Sequence, residues 1–108
     1  MIRDGFTIHP DDEWLVAHPF NGAGGTEYIG HGHWLRRQVW QGEPSGVLDI
    51  HMKADGRLCF GGARWAGPDD GHAKWKLVSV EPLHIEPSLA CRGCGDHGWI
   101  RDGKWVPA

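Results

Sequence analysis

Glycine is so dense in this chain, 17 of 108 residues, that a long regular element has little room to run. Inside a helix or strand each glycine costs backbone entropy, and in a turn it supplies the positive φ that other residues resist. Such spacing calls for short elements joined by tight turns. No segment of ten or more residues carries apolar positions at helical spacing, whereas period-two alternation recurs. The chain therefore reads as mainly β, a small single domain of short antiparallel strands. At this length the core is thin, and a metal staple would help hold it. Seven Trp supply large apolar area from few residues, and most are expected in the core or half-buried.

Residues 1–13 read as an arm or edge strand ending in a turn at His9-Pro10-Asp11-Asp12. Trp14 to Ala17 is short and apolar and reads as a buried strand. The stretch 21–25 is a glycine loop; it lacks the lysine and following helix of a phosphate cradle. Trp34 to Trp40 fits a strand or a short helix, and residues 42–46 read as a loop. Val47 to Lys53 alternates, with Leu48, Ile50 and Met52 on one face. Taking Asp55-Gly56 as a two-residue turn sets Met52 opposite Cys59 and His51 opposite Phe60, with Cys59 on the apolar face. Gly61-Gly62 opens a loop. Trp75 to Glu81 and Leu83 to Ile85 are extended, with Pro82 between them. Residues 99–106 form a second hairpin around Asp102-Gly103.

Composition removes several function classes. The net charge is −3 with no basic stripe, which argues against double-stranded nucleic acid as a partner. No apolar stretch reaches the length of a membrane span, and the first twenty residues carry no signal-peptide core. A soluble, cytoplasmic protein is the expectation. Three cysteines, an odd number, do not suit a secreted disulfide framework. A CxxC in a reducing compartment reads more naturally as a metal site.

The strongest chemical signal is Cys91-Arg92-Gly93-Cys94-Gly95-Asp96-His97-Gly98. Two thiols three residues apart can face one ion if the backbone turns tightly, and Gly93 and Gly95 permit that. His97 follows at the same interval. Zinc takes sulfur and imidazole nitrogen tetrahedrally, so Cys91, Cys94 and His97 are three candidate ligands. For the fourth, Cys59 leads, set against the reading that it is a small buried apolar residue; His72, His84 and Asp96 are the alternatives. Neither HExxH nor HxE with PCxxC occurs, so protease and deaminase readings lack their motifs.

A second cluster, Trp34, Arg36, Arg37 and Trp40, has three readings: an edge strand with Trp inward, a protein-binding hot spot, or a stacking platform for single-stranded nucleic acid. Among these we rank core first and protein contact second. His31-Gly32-His33 is read as a polar loop in preference to a metal site.

From Trp75 onward the chain resembles a family of small, uncharacterised proteins of tailed bacteriophages and prophages, many from actinobacterial hosts. The shared order is a Trp-bearing strand (Trp75), Pro87-Ser88-Leu89, the Cys/His segment Cys91-x-x-Cys94-x-x-His97-Gly98, and the hairpin Trp99-Ile100-Arg101-Asp102-Gly103-Lys104-Trp105. Members often carry an earlier CxxC, of which this chain keeps only Cys59. The resemblance covers the last third; residues 1–45 form a variable part and residues 46–108 the β-rich part with the knuckle at 91–98. It implies a phage or prophage origin, a zinc fold and no particular reaction. The expected function is non-catalytic binding of a host or phage protein, in the host cytoplasm. A minor virion component is second, and a small metal-dependent hydrolase third.

Overall fold

A computed structural model of the protein describes residues 2–17 and 25–108, residues 2 and 3 by backbone alone. The expected loop at 21–25 therefore lies, Gly25 excepted, outside the described residues, as do His18 and Pro19. An N-terminal hairpin pairs β1 (Ile2–Arg3) with β2 (Phe6–Thr7). A 3₁₀ helix, Pro10–Leu15, follows where a strand around Trp14 was expected. Its start explains the difference: the His9 ring nitrogen accepts the Asp11 N–H, and Pro10 holds the first helical position. Asp12 then accepts the Leu58 N–H at 3.1 Å and pairs with the Arg57 guanidinium at 2.9 Å, fastening the helix to the sheet.

The centre of the molecule is a four-stranded antiparallel meander of β3 (Thr26–Gly30), β4 (His33–Trp40), β5 (Glu43–Met52) and β6 (Leu58–Arg64). Beyond it come the hairpin β7 (Lys76–Val80) with β8 (Leu83–Glu86), and a three-stranded sheet of β9 (Leu89–Ala90), β10 (His97–Arg101) and β11 (Lys104–Pro107) in the order β11-β10-β9. Two expected loops are strand instead. The turn before β5 needs only Gln41-Gly42, both at positive φ, so pairing resumes at Glu43. Gly61 and Gly62 stay in β6, opposite Asp49 and Leu48. Asp102-Gly103 turns the last hairpin as expected, with Arg101 opposite Lys104.

Because side chains alternate along a strand, the meander has two faces, and both are covered. One carries Trp34, Ile50 and Leu58, packed under Ile8 and Val16 of the N-terminal segment. The other carries Leu35, Val47 and Ala63, packed against Leu83, Ile85, Ile100 and Trp105 of the C-terminal strands. Along this second face the apolar residues give way, at one end, to His33, Asp49, His51 and Cys59. That end lies beneath the segment 91–96. No helix among the described residues is long and apolar enough to cross a membrane.

Candidate metal centre

The loop joining β5 to β6 decides which side chains meet. It holds three residues, Ala54 to Gly56, not two: Lys53 N–H bonds Arg57 C=O at 2.8 Å, Gly56 N–H bonds Lys53 C=O at 3.0 Å, and Gly56 has φ +84°. This is a turn closed by a glycine bulge. One more loop residue moves the register by one, so His51 pairs with Cys59 and Met52 with Leu58. A one-residue slip exchanges faces. Cys59 is thereby turned away from Met52 and onto the face that carries His51.

The knuckle closes over this pair. Cys91 N–H bonds Asp96 C=O and Gly95 N–H bonds Cys91 C=O, each at 2.8 Å, which folds 91–96 back on itself. Cys91 and Cys94 then point down at the sheet. His51 Nε2 lies 3.1 Å from Cys94 Sγ, and Cys59 Sγ lies 3.5 Å from Cys91 Sγ. All four ligand atoms fall within 4.8 Å of one another, so His51, Cys59, Cys91 and Cys94 form a group that could hold a metal ion. A tetrahedron with zinc bond lengths has edges of about 3.6–3.8 Å, between the two short contacts and the 4.8 Å limit of the group. Gly93 passes directly over the thiols: a Cβ there would stand 3.2 Å from Cys59 Sγ and 3.7 Å from Cys91 Sγ.

Behind the ligands lies a buried polar chain. Asp49 Oδ2 is 3.3 Å from His51 Nδ1, an ion-pair distance without hydrogen-bond alignment, and His51 Nε2 faces the thiols. Asp49 Oδ1 is 2.8 Å from His33 Nδ1, and His33 Nε2 is 2.6 Å from Asp96 Oδ2 in the knuckle. His33, Asp49 and His51 are 2%, 3% and 0% exposed. Trp105 stacks on His33 at 3.7 Å between ring centres, and the His51 ring is stacked with it at 5.1 Å. A carboxylate behind a ligating imidazole fixes its orientation and raises its basicity, and the Asp49–His51 pair has that form. The same chain, continued through His33 to Asp96, ties the knuckle to the sheet by a route that does not use the sulfurs.

The charges confirm how crowded the cluster is. Burial works against a charged His51, but the Asp49 carboxylate and the Cys91 sulfur outweigh it and carry its pKa up to about 9. Burial likewise raises Cys91, yet the N–H groups of Cys94 and Gly93 and the neighbouring thiols bring it down to about 7. Cys94 goes the other way: burial, together with the charge of Cys91 and Cys59, pushes it up to about 11. Three thiols this close cannot all ionise readily by themselves. A divalent cation among them removes the conflict.

Of the residues expected from sequence, the structure brings together Cys91, Cys94 and Cys59 but not His97. Side chains on either side of the strand entry point opposite ways; Asp96 turns in to His33, so His97 turns out and bonds Ser88 Oγ at 2.8 Å. The alternatives for the fourth position are engaged elsewhere: His84 pairs with Glu86, Asp96 with His33, and His72 is exposed beyond the cluster. His51, which stands alone in the sequence and reads there as a surface or satisfied histidine, takes that place. His33, set aside as part of a polar loop, is the buried link behind it. The segment Trp34, Arg36, Arg37 and Trp40 does not form one exposed surface. Trp34 is core, Arg36 reaches the Leu15 carbonyl, and Arg37 pairs with Glu27 and bonds the Val80 carbonyl. Trp40 is left partly exposed at the strand end.

Beside the cluster runs an open groove of about 720 Å³, lined by the edge strand from Phe60 to Arg64, by Trp75, and by Cys91 and Arg92. Compared with protein-family models, curated proteins and solved structures, the chain matches none.

Proposed function

We propose that this is a zinc-stapled, non-catalytic binding module of phage type, whose partner is a host or phage protein. The observation that carries the reading is the closed ligand set His51, Cys59, Cys91 and Cys94. Three thiolates and one imidazole suit zinc, and four protein ligands fill a tetrahedral site. A hydrolytic zinc keeps a position for water; here the fourth donor is the buried His51 side chain, with the Asp49 carboxylate beside it. The metal's task is then to fasten the segment 91–96 to a small sheet. In a reducing cytoplasm the thiols stay available for it. The groove beside the centre offers an open concave surface formed by an edge strand, which suits contact with a protein.

The test joins metal analysis with capture. Protein purified without chelator should carry about one zinc per chain and lose its fold when a strong chelator removes it. Tagged protein should retain a specific protein from host or phage-infected lysate, and lose it when zinc is stripped. A zinc-dependent hydrolytic activity, or an ion with a bound water in place of His51, would overturn the non-catalytic reading.

A further inference from the structure

We infer that Cys59 and Cys91 are an oxidation site for peroxides, at which a disulfide replaces the metal as the link between knuckle and sheet. The inference rests on the metal reading above.

Three features of the structure lead to it. The two sulfurs stand 3.5 Å apart although their residues are 32 positions apart in sequence. One belongs to the sheet and the other to the knuckle, so a bond between them spans the junction the metal spans. Cys91 also lines the open groove, which gives a small oxidant a path to its sulfur. Finally, the loop over the pair is bare at Gly93, so no side chain stands between the sulfurs and the loop backbone. Cys94, the other thiol of the CxxC, lies 3.1 Å from His51 Nε2 and within 4.8 Å of both sulfurs.

The step balances with hydrogen peroxide as oxidant. The Cys91 sulfur attacks one peroxide oxygen, the O–O bond breaks, and the departing hydroxide takes a proton and leaves as water. Cys91 is then a sulfenic acid. The Cys59 sulfur attacks the Cys91 sulfur; the S–S bond forms, the S–O bond breaks, and the hydroxide leaves as a second water after taking a second proton. Two thiolates have lost two electrons and the peroxide has gained them. His51 and Cys94 alone remain for the metal, too few for a structural site, and the ion leaves. The knuckle stays attached through the new bond and through the His33–Asp96 contact.

Trypsin makes the test decisive, because the three cysteines fall on separate peptides: 58–64, 77–92 and 93–101. Zinc-loaded protein is assayed for metal, treated with hydrogen peroxide, followed with a chromogenic chelator, and digested under non-reducing conditions. The expected result is loss of the bound zinc in step with a cross-link between peptides 58–64 and 77–92. Oxidised protein should keep its strand circular dichroism, and dithiothreitol with zinc should restore the starting state. Zinc retained at peroxide doses that oxidise a free model thiol overturns the proposal and leaves the metal reading intact. So does zinc lost with a cross-link between 77–92 and 93–101, or with sulfinic and sulfonic acids only. Protein that holds no metal before peroxide is added overturns both.

Discussion

Replacing Asp49 with Asn tests whether the polar chain behind the cluster tunes the metal. Asp49 is 3% exposed, and its two oxygens face the Nδ1 atoms of both His33 and His51 at 2.8 and 3.3 Å. Asn has nearly the same shape, so packing is kept; the charge goes, and one oxygen acceptor becomes a donor. The His51 ring loses the carboxylate charge that stands 3.3 Å from its Nδ1. Losing such a carboxylate behind a ligating imidazole typically costs about 10–100-fold in metal affinity. That corresponds to roughly 1.4–2.7 kcal/mol. Competition with a chromogenic chelator of known affinity, at constant pH, measures it directly. The expected result is zinc affinity lower by at least tenfold, with a near-native circular dichroism spectrum when zinc is saturating. An Asp49→Asn protein that binds zinc within about twofold of the wild type would refute the assignment, because such a change is far below what an orienting carboxylate contributes.

Three further predictions separate parts of the account. His51→Ala should abolish stoichiometric zinc binding, while His97→Ala should keep it, read by metal analysis of the two purified variants. Gly98→Ala should destabilise the fold by ~1–3 kcal/mol or more, because its Cβ would lie 2.5 Å from both the Trp105 ring and the Val106 carbonyl; thermal melting of the zinc-loaded variant reads this. Asp12 is held below its ordinary pKa of 3.8 first by the Leu58 N–H and then by Arg57. A carboxylate with a depressed folded pKa stabilises above its unfolded value and loses that contribution as pH falls through the folded one. The melting-temperature gap between wild type and Asp12→Asn should therefore be full near pH 6 and shrink towards about pH 3.

Much of the β architecture was legible in the alternation of 47–53 and in Asp102-Gly103, and the two thiols of the knuckle were legible in their spacing. What sequence obscured traces to two physical points. The dipeptide Asp55-Gly56 suits a two-residue turn, but equally a three-residue loop whose last member is a glycine at positive φ. Asp55 takes the Arg57 N–H at 2.9 Å, which supports the longer loop. That single residue decided whether Cys59 faced Met52 or His51. The second point is the other face of β5. Val47, Asp49 and His51 look like the solvated side of an amphipathic hairpin, yet all three are buried, because the C-terminal strands and the knuckle cover that face. A histidine and an aspartate two apart in a strand, opposite a cysteine, were a detectable signal once the register was right. His31-Gly32 and Gln41-Gly42 were harder, since they turn at positive φ without the Asn or Asp that usually marks such turns.

X-ray absorption at the zinc K-edge, on protein purified without chelator, reads the ligand set of the ion directly. The ion should be four-coordinate, with three sulfurs at about 2.3 Å and one imidazole nitrogen at about 2.0 Å, the nitrogen unchanged in His97→Ala. Two sulfurs with two nitrogens, an oxygen in the shell, or a nitrogen that disappears with His97 would contradict it.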